Sequence, residues 1–400
     1  MRVIVQKFGG TSVASPDLRA ACARHVQAAL ADDYRVVVVV SAMGRRGDPY
    51  ATDTLLSTLH PGETVSNRDR DILMSCGEAI SAVVFGSYLR SLGIDVSVLS
   101  GQQAGIVTNE HFGEARILEI QPQRIQSELA RGRVVVVMGF QGGTEQGDVT
   151  TLGRGGSDTT ATALGVALGA EYADIFTDVD GIMTADPRIV SDAKRLGRIT
   201  YQEICNLAYQ GAKVIHPRAV EIAMQKNLPI RVRHTLSMDE GTLVTNELPT
   251  FEVTGVNDRF VTGIAHTAHV TQIVLTGESL EARTVFGQMA DHRISVDFIS
   301  MATDRIAYTV KDTDTDKAVS LLDRAGFQPL IRRDCAKVSV VGAGIAGVPG
   351  IMARIVDALG QEEIDVLQSA DSHTTIWCLV EGRKMERAVQ ALHRAFGLAD

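Results

Sequence analysis

Five consecutive valines, Val36, Val37, Val38, Val39 and Val40, constrain the fold more than any other stretch. A strand with one wet face alternates apolar and polar residues, because successive side chains point to opposite sides. An unbroken β-branched run leaves no wet face. That is the signature of a central strand in a parallel sheet, with helices above and below. Further strands are expected at 3–8, 95–99, 134–138, 175–177 and 230–233. Amphipathic helices are expected at 16–31, 70–92, 123–131, 157–168 and 217–226. This alternation predicts an α/β fold over residues 1–245, a three-layer α/β/α sandwich.

A polar linker with Pro249 follows at 246–259. The remaining chain changes style. Segments 270–275, 280–292, 295–300, 306–310 and 315–325 read β-α-β-β-α. Segments 337–341, 350–362, 365–369, 375–380 and 385–396 repeat that order. Two units of about 65 residues imply a duplicated ferredoxin-like βαββαβ module. The strands are expected to include Ile294-Ser295-Val296-Asp297 and the matching Ile364-Asp365-Val366-Leu367.

Composition removes several classes. With 48 acidic and 39 basic residues the formal charge is −9, which disfavours a nucleic-acid partner. The longest apolar run is far below the roughly 18 residues that span a bilayer, so no membrane is expected. Cys22, Cys76, Cys205, Cys335 and Cys378 are scattered, with no zinc spacing, and read as reduced thiols in a cytoplasmic protein.

Several segments carry chemistry. Lys7-Phe8-Gly9-Gly10-Thr11-Ser12 closes the first strand. By residue type it is either a phosphate cradle with a point charge or a plain Gly turn beside a lysine. Ser41-Ala42-Met43 follows the next strand and can face the same ligand. Gly153-Arg154-Gly155-Gly156-Ser157-Asp158 opens a helix. A Gly-rich helix entry suits an anion, and Arg154 suits a carboxylate. Thr177-Asp178-Val179-Asp180-Gly181 with Asp186-Pro187-Arg188 reads as a nucleotide or Mg²⁺ loop, or as a solvated acidic turn. Gly211-Ala212-Lys213-Val214 precedes a helix begun by Pro217. Glu78 stands beside Gly77, mid-helix, where it can meet an amine or pair with an arginine. Gly342-Ala343-Gly344-Ile345-Ala346-Gly347 matches a dinucleotide fingerprint, but too little chain follows for that domain.

Together, Lys7 to Val13, Gly153 to Thr159, Thr177 to Gly181 and Gly211 to Val214 resemble the aspartate kinase family, through nearly the whole chain. The resemblance implies the amino-acid kinase fold followed by tandem ACT domains. ACT domain 1 would be 268–333, inserted into ACT domain 2, which would be 260–267 plus 334–400. It implies transfer of the ATP γ-phosphoryl to the β-carboxylate of L-aspartate, the first step toward lysine, diaminopimelate, threonine and methionine. The carried-over catalytic residues are Lys7 and Asp158. Substrate would meet Ser41, Thr52, Glu78, Arg154, Gly155, Gly156 and Ser157. ATP would meet Lys7, Phe8, Gly9, Gly10, Thr177, Asp178, Met183 (often Tyr in the family), Arg188, Lys213 and Val214. Mg²⁺ would arrive with ATP, and no protein side chain is assigned to it.

The 41–50 segment is similar to the diaminopimelate-inhibited aspartokinases of spore-forming bacteria. The first module carries Thr276-Gly277-Glu278-Ser279 in place of a Pro-Gly effector loop. An effector pocket at Ser369, Asp371 and His373 is expected, with meso-diaminopimelate favoured over lysine and threonine. ACT sheet edges imply a homo-oligomer. The rival readings are glutamate 5-kinase and a non-catalytic amino-acid sensor.

Overall fold

The computed structural model describes residues 1–60, 62, 64–212, 214–246, 260–277, 281–343, 345 and 347–399. The linker expected at 246–259 therefore lies outside the described residues except for Asn246, as do Lys213, Glu278, Ser279, Gly344 and Ala346. The chain divides into two compact units, Met1–Ile182 with Arg195–Ala208 and Lys213–Thr254, and Met183–Lys194 with Tyr209–Ala212 and Gly255–Asp400. These boundaries differ from a single cut near residue 245, because Met183–Lys194 belongs with the second unit.

In the first unit the strands are β1 Val3–Phe8, β2 Arg35–Val40, β3 Val96–Leu99, β4 Ile106–Thr108, β5 Ile117–Ile120, β6 Val134–Met138, β7 Gln141–Gly143, β8 Val149–Thr151, β9 Tyr172–Thr177, β10 Arg198–Ile199, β11 Ile230–His234 and β12 Thr242–Val244. The helices are α1 Pro16–Ala31, α2 Thr52–Leu56, α3 Asn67–Ser91, α4 Gln123–Ala130, α5 Gly156–Leu168, α6 Tyr201–Tyr209 and α7 Pro217–Gln225. One sheet has the order β3-β6-β2-β1-β9-β11-β12-β10. It is parallel from β3 to β11, and only the β11–β12 pair is antiparallel. The five valines are fully buried, as a central strand requires. A second, four-stranded sheet, β5-β4-β7-β8, stands beside it. Its three- and four-residue strands are too short to show a period in sequence.

Local signals fix the helix starts. Ser15 Oγ accepts from Leu18 N, with Pro16 in the first turn of α1. Ser66 Oγ accepts from Asp69 N at the start of α3. The 25 residues of α3 are long and apolar enough to cross a bilayer by length and composition. Here Ala82, Phe85 and Leu89 pack into the core with Phe8 and Phe176.

The second unit holds β13 Gly263–Thr276, α8 Ala282–Asp291, β14 Asp297–Met301, β15 Arg305–Lys311, α9 Thr315–Arg324, β16 Leu330–Val341, α10 Ile351–Gln361, β17 Gln368–Asp371, β18 Thr375–Glu381 and α11 Met385–Ala395. Its six strands form one sheet, β14-β15-β13-β16-β18-β17. The repeat is visible in the coordinates. Arg305 and Thr375 begin equivalent strands, and Arg293 and Glu363 both leave a helix at positive φ, +56° and +54°. The strands expected at 295–300 and 365–369 start later. Ile294 and Ile364 instead bond back to the helix, to Met289 O at 2.8 Å and Leu359 O at 2.9 Å. Both are buried as apolar stops beneath their own helix, and the chain needs two or three more residues to reach the sheet.

The two long strands each serve both repeats. Gly263 to Thr267 pair with Val341 to Lys337, whereas Val270 to Thr276 pair with β15. Residues 330–332 of β16 pair with 272–274, and 335–341 pair with β18.

Candidate active site

Ligands of open parallel sheets sit beyond the carboxyl ends of the strands. There β1 and β2 deliver two loops side by side. Ser41 N–H donates to Phe8 O at 3.2 Å, and Gly44 N–H to Gly10 O at 3.0 Å. A Cβ on Gly10 would stand 2.5 Å from Ala42 O, so only glycine permits this approach. The Phe8 side chain faces the other way, stacked on Phe176 in the core, its carbonyl holds Ser41 N–H, and Phe8 does not line the cavity these loops border.

Lys7 reaches across to the first turn of α5, where its Nζ lies 2.7 Å from Asp158 Oδ1. Among the described residues that oxygen has no other partner, and both side chains are about seven-eighths buried (13% and 12% exposed). Helix α5 begins at Gly155 in the left-handed region, φ +69°. A Cβ there would collide with the His216 ring. Arg218 clamps the same entry from below, donating to Leu152 O at 2.9 Å and Ala115 O at 3.0 Å.

These segments enclose a cavity of about 510 Å³. Lys7, Gly10, Ser41, Thr52, Glu78, Arg154, Gly155, Gly156, Ser157 and Asp158 all line it. Thr52 arrives on the first turn of α2. Glu78 comes from mid-α3, beside Gly77, where a Cβ would press within 2.7 Å of the Ala42 side chain. Among the described residues only one Glu78 oxygen is used: Oε1 accepts from Ala42 N at 2.9 Å, while Oε2 is buried with no partner. Burial pushes this carboxyl up to about 8. Arg154 is exposed in the same lining.

The sequence reading missed other lining groups. Arg45, Arg46, Asp53, Met74 and Phe140 also face the cavity. Among the described residues four cationic side chains thus meet three carboxyls, in a chain whose formal charge is −9. Phe140 sits at φ +67°, costly for a bulky residue, and is pinned by Thr160 Oγ1 on its N–H and Leu152 N–H on its carbonyl. No sequence signal marks it. Asp71, one face of α3 along from Glu78, accepts from Gly113 N, Thr151 N and Thr151 Oγ1 at 2.9, 2.7 and 2.8 Å.

The remaining predicted residues are placed differently. Gly9, Thr177, Asp178 and Val214 do not line the cavity, although Asp178 pairs at 2.5 Å with Arg45, which does. Met183 and Arg188 fall in the second unit, where Arg188 forks onto Asp186 at 3.0 and 2.6 Å. Lys213 lies outside the described residues. Ser369 and Asp371 share the exposed side of the edge strand β17, and His373 is exposed in the turn after it.

The model of the amino acid kinase family matches residues 2–234, and that of the ACT domain matches residues 330–394. Aspartokinase 1 of Bacillus subtilis (strain 168) is 54% identical over 403 residues, spanning 100% of both chains. The chain belongs to the aspartokinase family. An aspartokinase of Geobacillus stearothermophilus is 39% identical over 100% of this chain and 98% of its own. The crystal structure of E. coli aspartokinase III in complex with aspartate and ADP superposes with a TM-score of 0.79 at 28% identity, over 98% of this chain and 99% of that one. As an aspartokinase the protein is a kinase of amino-acid biosynthesis that uses ATP. It pairs the amino-acid kinase fold with ACT regulatory modules.

Proposed function

We propose that the cavity joins L-aspartate to Mg-ATP, with the substrate β-carboxylate attacking the γ-phosphorus. The observation that carries this reading is the pairing, in one cavity, of the Lys7–Asp158 bridge with a buried carboxylate that has one oxygen unpartnered among the described residues. An amino-acid substrate needs an anion for its ammonium and a cation for its α-carboxylate. Glu78 Oε2 supplies the first and Arg154 the second, in bidentate form. Ser41, Thr52, Gly155, Gly156 and Ser157 complete the substrate wall.

The attacking carboxylate is ionised at neutral pH, so no general base is required. A β-carboxylate oxygen forms the new O–P bond, the β–γ bridging bond breaks, and ADP leaves with that electron pair. No proton moves in the step. The difficulty is bringing two anions together, which positioning and positive charge overcome. Lys7, fixed by Asp158, stands at the transferring phosphoryl with the Gly9 and Gly10 N–H groups. The Phe8 backbone, Thr177, Asp178, Met183, Arg188, Lys213 and Val214 serve the nucleotide. Mg²⁺ arrives with the nucleotide, and no protein side chain is assigned to it. Bound there, the ion would neutralise phosphoryl charge.

The strand pairing supports the nested arrangement, with 268–333 as one ACT module and 260–267 plus 334–400 as the other. The first unit would then be the catalytic domain, 1–245 by chain order. Feedback by meso-diaminopimelate through Ser369, Asp371 and His373, and a homo-oligomer joined through ACT edges, complete the reading. The edge strand β14 exposes Ile299 and Met301, as a paired edge would. Five free thiols accord with a cytoplasmic setting.

The test is ATP- and Mg²⁺-dependent hydroxamate formation with L-aspartate and, in parallel, L-glutamate. Trapping with aspartate alone is expected, and titration with diaminopimelate, lysine and threonine then identifies the effector. Trapping with glutamate instead would shift the reading to glutamate 5-kinase. No trapping with either would overturn the substrate assignment.

A further inference from the structure

After Gly181 the chain makes an excursion that the kinase match includes but the first unit does not. Ile182 and Leu196 close its base by a 2.8 Å backbone bond. Between them, Met183–Lys194 is built into the second unit. Ala185 and Val190 are buried in the same core as Ile355 and Leu359 of α10 and Val389 and Leu392 of α11, with Ile189 and Ala193 packed against it. Three polar contacts fix its seat. Thr184 Oγ1 lies 2.9 Å from His393 Nε2, in a fully buried pair. Gln390 Nε2 donates to Ile189 O at 2.8 Å. Ile264 N–H donates to Thr184 O at 2.8 Å, extending the start of β13.

Apolar side chains alone tolerate several seats of similar energy, whereas a buried hydrogen bond is costly to leave unmade and so selects one. This strap carries Met183 and Arg188. A movement of α11 therefore cannot leave the strap where it was.

We propose that the strap 183–194 couples the second ACT module to nucleotide binding, with His393 and Gln390 as positioning residues that set Met183 and Arg188. The proposal rests on the reading of Met183 and Arg188 as nucleotide contacts. It requires the α11 seat to control ATP affinity while leaving aspartate affinity alone, because Glu78 and Arg154 belong to other elements. Neither His393 nor Gln390 lines the cavity assigned to the reactants.

The test uses the full chain and the steady-state parameters for both substrates. Gln390→Met keeps the length of the side chain and removes its donor. His393→Leu removes the ring nitrogen, and His393→Gln restores a polar atom near its position. Gln390→Met and His393→Leu are expected to raise KM for ATP by about fivefold each, the worth of one hydrogen bond. KM for aspartate stays unchanged, and His393→Gln recovers most of the loss. Arg188→Ala is measured alongside. If it raises KM for ATP while the α11 variants do not, the coupling is wrong and the nucleotide reading stands. If Arg188→Ala has no effect, the nucleotide reading falls and the coupling falls with it. Equal rises in both KM values would also overturn the coupling, since a merely structural defect acts on both.

Discussion

Glu78 has one oxygen bonded and one buried without a partner. In the unliganded protein burial raises its pKa to about 8. In the role proposed for Glu78, a substrate ammonium binds the ionised form, so protonation competes with aspartate. KM for aspartate is expected to rise roughly tenfold as pH falls from 8.5 to 7, with KM for ATP unchanged. Glu78→Gln should abolish that pH dependence and weaken aspartate binding at every pH. The same shift has a stability sign. A carboxyl with a raised folded pKa stabilises the fold fully below its unfolded value near 4.5, and that contribution is lost as pH rises toward 8. Glu78→Gln removes the charge, so the unliganded variant should melt higher than the parent at pH 9. An equal or lower melting temperature would show that Oε2 is already satisfied. The sequence placed a glutamate next to a helix-interior glycine; it did not distinguish a waiting carboxylate from one paired with an arginine. The spare oxygen is a property of what surrounds it.

At the scale of elements, α3 carries two buried acids seven residues apart, on one face by helical period. Glu78 faces the cavity, and Asp71 gathers the backbone of Gly113 and Thr151. Asp71→Ala leaves two N–H groups and a hydroxyl without their acceptor. It should destabilise the protein by about 2–4 kcal/mol, seen as a lower urea midpoint, and should impair substrate binding because Gly113 lines the cavity. An unchanged midpoint would mean that water takes over the role of Asp71. Periodicity revealed β1, β2, β3, β6, β9, β11, α1, α3, α4, α5 and α7. The small sheet β5-β4-β7-β8, the five-residue α2 and the Phe140 turn were not legible. Their residues are held by partners distant in the chain, such as Thr108 Oγ1 on Thr150 Oγ1 at 2.6 Å.

At the scale of the whole molecule, the second unit does not separate into two consecutive modules. Thr267 pairs with Lys337, which supports the proposal that the first repeat is inserted within a hairpin of the second. Replacing 268–336 by Asn-Gly would join those two paired residues through a two-residue turn. That chain is expected to keep the strap 183–194 resistant to limited proteolysis, since Ala185 and Val190 keep their core. A chain ending after Arg333 is expected to be cut rapidly there. Equal cleavage in the two would refute the nesting.

The sequence alone determined the sandwich, the duplication, the four motif segments and the family, because local period, glycine placement and motif order are written in neighbouring residues. Tertiary structure decided which of those segments share a cavity, how many cations face it, and that Glu78 keeps an unused oxygen. It also decided that Met183–Lys194 is core of the ACT side. These are matters of burial and of contacts between residues far apart in the chain. Thr184 and His393 stand 209 positions apart, and no pattern within either segment announces the other.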